Sequence, residues 1–435
     1  MKEDGFLSAI TSNAWLGKEY GFQFKQFLLE NFHIKYVVRS NAEHWFTESQ
    51  VSTIYSVLQR GQRDEPTKFV TINFKLEEFF NQEDINYQLR QIEDFYADID
   101  NCDNPRNASW RKDESFKNLY HKTEGSVSVS IISNEQLNNS LASQENWDTF
   151  FISANLFEQF DEYLVPFYPD FIDSFRGERT GWNEMFVIPA NQVANTGIEE
   201  RFLIPYVKSP TELETLEFDG NYNYFLFVCN LPEADLRREF PGAYRWIKRF
   251  ENATNKNGSK TIQDACAGHR PFWYSLRPKK ANIVTAVNPY ERFFFSFAEE
   301  PFTIDQRLIA MTVNAGQDVE LMAALLNSVI TFLTIEMRGT SRNLGVLDLN
   351  ANYFKTLRVL NPNLLSAESK RDILNAFQPI KERDIQPIIE EIQRADRINF
   401  DTVVLRAFGV DEAILSALYQ ILSSAVNDRV TLSER

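Results

Sequence analysis

The sequence predicts an α/β segment, then an α+β region of many short strands, then a mainly helical C-terminal region. Three observations predict it. The first sixty residues alternate strand-like apolar runs with one stretch at helical spacing; the middle carries short β-branched and aromatic runs; from about residue 311 the apolar period turns helical. The divisions fall at 1–150, 151–310 and 311–435.

Phe6–Thr11 is a short apolar run suited to a buried strand, and Ser12 or Asn13 can cap a helix beginning after it. Phe24, Phe27, Leu28 and Phe32 recur at helical spacing. Ile34–Val38 and Val51–Leu58 are further strand runs, the second rich in β-branched residues. Strand–helix–strand order predicts part of a parallel sheet. These elements are too few for a stable doubly wound domain, so the segment reads as the end of a domain whose beginning is absent. Phe69–Phe74 and the alternating Ser126–Ile132 come next as strands, with a helix over Asp84–Tyr96 between them. Strands are then expected at Met185–Ile188, Tyr224–Val228, Ile283–Ala286 and Arg292–Phe297. Glu320–Ile335 reads as one helix, and Ser366–Val430 as two or three amphipathic helices.

The chain has 435 residues, 43% hydrophobic and 14% aromatic, enough for two to four cores. No apolar run reaches the ~18–20 residues of a membrane span. Met1-Lys2-Glu3-Asp4-Gly5 has no basic leader, and Cys102, Cys229 and Cys266 make no disulfide framework, so a reducing cytoplasmic setting is expected, with no membrane partner.

Charge is segregated. The net charge is −16, yet Pro241–Lys280 holds nine basic residues against two acidic ones. Glu145–Glu200 holds eleven acids against Arg176 and Arg179. The basic stretch is either surface fluctuation or an anion-facing surface on an acidic body.

Several chemistries are excluded. No two of the sixteen glycines stand at Gly-x-Gly spacing, which removes the dinucleotide fingerprint and the phosphate loop. His33, His44, His121 and His269 form no His-x-x-x-His, and there is no Cys-x-x-Cys, so no zinc site is expected. Cys266-Ala267-Gly268-His269 brings a thiol and an imidazole close in sequence, but a local turn seldom aligns such a pair.

Gly5-Phe6-Leu7-Ser8-Ala9-Ile10-Thr11-Ser12-Asn13-Ala14-Trp15-Leu16, then a helix, then His44-Trp45-Phe46-Thr47-Glu48-Ser49-Gln50-Val51-Ser52, resembles the DNA adenine-N6 methyltransferases of the type IIG restriction–modification kind. Later segments are similar to the family's target-recognition region: Arg179 to Ile188, Phe272-Trp273-Tyr274, Ala324-Leu325-Leu326-Asn327-Ser328 and Arg338 to Leu347. The tail Phe400-Asp401…Phe408-Gly409-Val410 is similar to its C-terminal helices. The resemblance implies a partial Rossmann-like methyltransferase segment (1–150), a target-recognition domain (151–310) and a helical end (311–435). No Asn/Asp/Ser-Pro-Pro-Tyr/Phe occurs in this sequence, nor the family's glycine-containing loop for S-adenosylmethionine. Asn288-Pro289-Tyr290 has one proline and does not match. The resemblance therefore implies the back half of such an enzyme. This chain alone would bind no cofactor and hold no catalytic residue; S-adenosylmethionine and catalysis would belong to a separate chain, and double-stranded DNA would be the other partner.

An enzyme acting on adenine N6 takes the base out of the duplex and needs a flat partner on each of its faces. By the resemblance, Phe46 fits one stacking position, five residues before Val51-Ser52, and Trp45 packs inward beside it. For DNA contacts the candidates are Arg176, Arg179, Thr180 and Asn183 before a strand; Arg245, Lys248 and Arg249 at i, i+3, i+4 on one helical face; Arg270, Trp273, Tyr274, Arg277, Lys279 and Lys280, where basic and aromatic residues interleave; and Arg338, Arg342 and Asn343. Each group reads equally as a solvated loop or helix face. Two functions remain open: the recognition and base-flipping half of a split methyltransferase of a restriction or phage-defence system, inactive alone, or a non-catalytic DNA-binding specificity protein derived from one.

Overall fold

Among the described residues two seven-stranded mixed sheets organise the chain, each with a single parallel hydrogen-bonded pair of strands among antiparallel ones. The computed structural model describes residues 2–17, 19–43, 45–46, 53–79, 84–113, 116, 118–142, 147–151, 160–341 and 345–434. Its contacts divide it into two units. The first comprises Met1–Leu164, Phe332–Asp348 and Asp411–Arg435; the second comprises Val165–Thr331 and Leu349–Val410. The helical stretch 311–435 thus contributes to both.

In the first unit the strands are β1 (Phe6–Ser12), β2 (Phe32–Ser40), β3 (Thr53–Arg60), β4 (Thr67–Ile72), β5 (Trp110–Lys112), β6 (Leu119–Lys122) and β7 (Val127–Ile132), in spatial order β1-β3-β2-β4-β7-β6-β5. Among the hydrogen-bonded pairs of these strands only β2–β4 is parallel. After β1 comes helix α1 (Glu19–Asn31) and then β2; both strands pair antiparallel with β3, so they run in the same direction and α1 connects them as a parallel crossover. The continuous parallel sheet expected from strand–helix–strand order is interrupted, because β3 inserts antiparallel between β1 and β2.

Side chains alternate across this sheet and fill a core on each face. Phe69, Ile34, Ile54, Leu58 and Ile132 pack with Leu28 of α1, Trp15 and Trp147. Val70, Tyr36, Val38, Ile72 and Val129 pack on the other face with Ile99 of helix α2 (Ile85–Asp100). Asp84 caps α2 by accepting from the Asn86 amide. Asp100, the last residue of α2, accepts from the Tyr36 hydroxyl at 2.7 Å and from Lys68 Nζ at 2.8 Å, tying the helix to β2 and β4. Gly21 is required by close approach, because a Cβ there would lie 1.9 Å from the Trp15 carbonyl oxygen. Elsewhere in the unit, Arg429 on the helix Leu415–Glu434 forms a buried fork on Glu336, at 2.8 and 3.0 Å.

Past the short strand β8 (Leu164–Pro166), the second unit contains β9 (Ile172–Arg176), β10 (Val187–Pro189), β11 (Leu203–Val207), β12 (Tyr224–Phe227), β13 (Lys280–Ala286), β14 (Ser296–Ile304) and β15 (Leu308–Val313). Their order is β10-β12-β11-β14-β13-β15-β9. The expected strand at Met185–Ile188 is half helical turn, Asn183–Phe186, and the strand starts at Val187. The expected strand at Arg292–Phe297 begins later, at Ser296, and runs on to Ile304.

The expected single helix over Glu320–Ile335 is two: α4 follows α3 (Pro241–Phe250) along the chain and spans Val319–Leu326, and α5 spans Val329–Arg338. Asn327 makes the break. Its side-chain amide accepts from the Phe295 amide at 3.0 Å and donates to the carbonyls of Phe295 and Ala323, both at 2.9 Å. Helix α6 (Ala395–Ala407) completes the corner. Arg397 donates to the Asn327 carbonyl at 2.6 Å, and the buried Asp401 carboxylate accepts from the Val329 amide at 2.8 Å, capping α5 from outside. Glu391 lies 3.3 Å from Arg397 and is also gripped by Arg383, whose fork reaches Asp396. Phe297, Phe377 and Phe400 line up behind, with ring centroids 6.1 and 5.4 Å apart.

No single helix among the described residues is long and apolar enough to cross a membrane. The corner is the most exacting point of the second unit. Asp401→Ala removes the α5 cap and leaves Arg397 buried with one partner fewer, at an expected cost of about 3–5 kcal/mol. Asp401→Asn keeps an acceptor oxygen and is expected to cost less. Urea unfolding midpoints of the three proteins check this order.

Candidate nucleic-acid interface

One lobe of the second unit gathers most of the sequence candidates. Its core holds Met185, Phe186, Leu226, Phe227, Trp246, Ile247, Ile262, Cys266 and Tyr274. Three surface segments are pinned to it: the loop 177–183, helix α3 and the loop 266–276.

The sequence of α3 makes it two-faced. Gly242, Ala243, Trp246 and Ile247 are buried, while Arg245 and Arg249, four residues apart, are exposed on the other side. Trp246 Nε1 donates to the Met185 carbonyl at 3.0 Å and locks the helix rotation. The N-terminus of α3 is occupied by Glu199, whose carboxylate accepts from the Gly242 and Ala243 amides at 2.8 and 2.9 Å. Lys248 is less available than its two neighbours. It is bonded to Glu233 at 2.7 Å and Glu251 at 2.8 Å, which hold its pKa above the usual lysine range. Arg249 lies over the Trp246 and Phe250 rings, 5.4 and 5.7 Å from their centroids.

The loop 177–183 is held from below. Gly181 adopts φ +72°, and a Cβ there would come within 3.0 Å of the Ala265 carbonyl oxygen. Cys266 Sγ sits 3.7 Å from the Thr180 carbonyl. Thr180 is buried and donates through Oγ1 to Asn183 Oδ1 at 2.6 Å. Arg179 and Asn183 stay exposed on this clamp.

In the loop 266–276, His269 Nδ1 bonds the Trp273 carbonyl at 2.9 Å, and its ring meets Phe186 edge-on at 5.5 Å. Arg270, exposed, donates to the carbonyls of Ala267 and His269. Tyr274 is 1% exposed and its hydroxyl donates to the Leu231 carbonyl at 2.9 Å. Two candidates are placed differently from the sequence reading: Tyr274 and Thr180 are buried supports, bonded within the lobe. Trp273 is half-buried beside Tyr274. The Cys266–His269 pair is structural as well. Burial pushes the thiol up to about 11 and holds the imidazole below its ordinary value.

The remaining candidates lie elsewhere. Arg176 donates to the Gln306 carbonyl at 2.7 Å, and Lys279 lies over the Phe175 ring at 4.9 Å. Lys280 opens β13, and both Lys280 and Arg277 are exposed. The side chain of Arg338, and Arg342 and Asn343 altogether, lie outside the described residues. In the first unit, Trp45 packs half-buried against the α2 face of the sheet, while Phe46 beside it is 49% exposed. His44 and Thr47–Ser52 lie outside the described residues.

Sequence reasoning missed Arg201. It is exposed and lies over the Phe240 ring at 4.7 Å, at the start of α3. Glu199 and Glu200 beside it cancel the local charge, and only the packing of Phe202 against Phe240, at 5.1 Å, puts it on the basic lobe.

Among the described residues no group of three or more His, Cys, Asp or Glu side chains could hold a metal ion. The half-buried His269 gives the lobe a pH signature. Its folded pKa is lowered by burial, so its contribution to stability is present above about pH 6.5 and lost as pH falls below it. Between pH 7.5 and 5.5 the wild type is expected to lose more stability than His269→Gln, as read by urea midpoints at both values.

No family model and no curated protein matches the sequence. Solved structures match by fold. The type IIG restriction endonuclease BpuSI superposes with a TM-score of 0.53 at 13% identity, covering 100% of this chain and 48% of its own. The type IIL restriction-modification enzyme MmeI, solved in complex with DNA, matches 96% of this chain and 50% of its own at 12% identity and a TM-score of 0.44. The chain spans about half the length of these two enzymes, and its fold of mixed sheets and helices is similar to that of a type IIG restriction endonuclease.

Proposed function

We propose that this chain is the target-recognition and base-flipping half of a split DNA adenine-N6 methyltransferase of a restriction–modification or phage-defence system. The observation that carries the reading is the match itself: all of this chain corresponds to just 48% of a type IIG enzyme. Asn-Pro-Pro-Tyr and the glycine-containing loop are absent from the sequence, so methyl transfer needs a second chain that supplies them and S-adenosylmethionine.

Each surface then has a defined task. Arg179, Asn183, Arg201, Arg245, Arg249 and Arg270 stand around one packed lobe, and exposed guanidinium groups held on aromatic faces or backbone carbonyls are suited to phosphates and base edges. Phe46, apolar and exposed, offers a flat face to an extruded adenine. A non-catalytic DNA-specificity protein derived from such an enzyme is the second reading, favoured by the missing motifs; recovery of no catalytic partner would select it.

Two measurements test the proposal. With the pair of chains reconstituted, Phe46→Ala is expected to slow methylation of duplex DNA roughly tenfold, within the ~1–3 kcal/mol of one stacking contact, while duplex affinity changes little. Arg245→Ala, Arg249→Ala and Arg270→Ala are each expected to weaken duplex binding across sequences and to lower the salt slope by about 1. Lys248→Ala should do less, because two glutamates already neutralise it. Fluorescence anisotropy against a salt series reads both. Unchanged affinity in all three arginine variants would reject the lobe as the DNA surface.

A further inference from the structure

Past the C-terminus of α3 the chain forms a short hairpin over residues 254–261, Thr-Asn-Lys-Asn-Gly-Ser-Lys-Thr, with no acidic and no large apolar side chain. Its base is anchored to the lobe. Thr254 pairs with Thr261 across an isolated antiparallel bridge, and the Ile262 amide donates to the Ala253 carbonyl at 2.9 Å. Ile262 is fully buried in the lobe core. Thr261 caps the turn Ile262–Ala265 in a reciprocal box with Asp264. Gln263 donates to the carbonyl of Glu251, the residue after α3, at 3.2 Å.

The tip is shaped by one of its own side chains. Asn255 Oδ1 accepts from the Ser259 and Lys260 amides at 2.9 and 3.2 Å, and the Asn255 amide donates to the Lys260 carbonyl at 2.9 Å. The Gly258 amide donates to the Asn255 carbonyl at 2.8 Å, which makes Lys256 and Asn257 the two corner residues of a turn. Gly258 closes that turn at φ +65°, and a Cβ there would meet nothing within 4 Å. Residues 256–260 are all exposed. Among the described residues neither the Lys256 nor the Asn257 side chain makes a hydrogen bond or ion pair. Asn255 thus holds the hairpin in shape while the two corner side chains stay uncommitted.

We propose that the hairpin 254–261 is the base-reading finger of the lobe: it enters the major groove of duplex DNA, where Asn257 reads an adenine and Lys256 a guanine. This rests on the DNA-binding role proposed for the lobe. A two-stranded ribbon fits the ~12 Å width of that groove. Adenine presents N7 and its N6 amino group there side by side, and one carboxamide bonds both; an ammonium donates to N7 and O6 of guanine. The residues of α3 are suited to the other task. Arg249, held over the Trp246 and Phe250 rings, offers a fixed cation to the phosphates that every sequence carries. A neutral carboxamide gains little from a phosphate, so Asn257 at the corner distinguishes the hairpin from a purely cationic surface. A tip already ordered by Asn255 also loses little conformational freedom on docking.

The test is selection of duplexes from a random-sequence library by the full chain, read by sequencing, with anisotropy on the selected duplexes. The wild type is expected to enrich a motif containing adenine and guanine. Asn257→Ala is expected to lose discrimination at one adenine position by about tenfold, and Lys256→Ala at one guanine position by a similar factor, both with unchanged circular dichroism and urea midpoint. Arg249→Ala is expected to bind every duplex more weakly and to keep the motif. If both tip variants keep the wild-type motif, or lose affinity for all duplexes by the same factor, the hairpin does not read bases and the inference is overturned while the DNA-binding lobe stands. Binding of duplexes by the wild type without any preference overturns it in the same way. If the wild type binds no duplex, the proposed function falls and the inference with it.

Discussion

The buried corner at Asn327 is the constraint on which the second unit depends. Val319–Leu326 and Val329–Arg338 are apolar enough to run on as one helix, and the break between them needs every freed backbone group to find a partner. Asn327 bonds Phe295 through both its oxygen and its nitrogen; Arg397 takes the Asn327 carbonyl; Asp401 takes the Val329 amide. Glu391 and Arg383 extend the charges outward to Asp396. Such ion pairs add little net stability over an apolar core, but leaving one member alone is costly. Their effect is to hold the break at Asn327 in one arrangement. α4, which ends there, lies against β13 and β14 of the second unit's sheet.

The basic lobe depends on a comparable economy of supports. None of Arg179, Asn183, Arg245 or Arg249 is positioned by its own contacts alone. The Trp246 bond to Met185, the Glu199 cap and the Gly181 clamp on Ala265 set the three segments, and the cations project from them. Tyr274 and Thr180 belong to this support. They stood among the sequence candidates because an aromatic beside arginines, or a hydroxyl before a strand, reads the same whether it faces in or out. Only the hydroxyl bonds to Leu231 and Asn183 decide the matter.

Much of the fold was legible because strands announce themselves through β-branched and aromatic runs. The strands near Phe69, Ser126, Tyr224 and Ile283 all exist, as do the three long helices of the tail. Two features were not legible, for different reasons. Strand order depends on which neighbours pair, and the insertion of β3 antiparallel between β1 and β2 leaves no local mark in the sequence. The break at Asn327-Ser328 keeps the apolar period going through it, so periodicity alone joins α4 to α5; Asp401, which caps α5, stands seventy-two residues from Val329. Of the candidate site, the basic stripe on α3 was readable from i, i+4 spacing. Arg201 was not, since nearby glutamates cancel its charge in sequence while packing separates them in space.

The overall acidity bears on the proposed function rather than opposing it. With a net charge of −16, most of the molecule repels a phosphate backbone, and the repulsion falls off over roughly 8–10 Å at physiological salt. Under the proposed function, the exposed Arg179, Arg201, Arg245, Arg249 and Arg270 of the lobe would be the face a duplex approaches closely. In a uniformly basic protein, non-specific binding would tolerate many orientations. If the lobe binds a duplex as proposed, acidic surface elsewhere would disfavour other approaches, and electrostatics would select an orientation before any base edge is read. A recognition half that must present a particular base to a partner's cofactor gains more from that selection than from additional affinity.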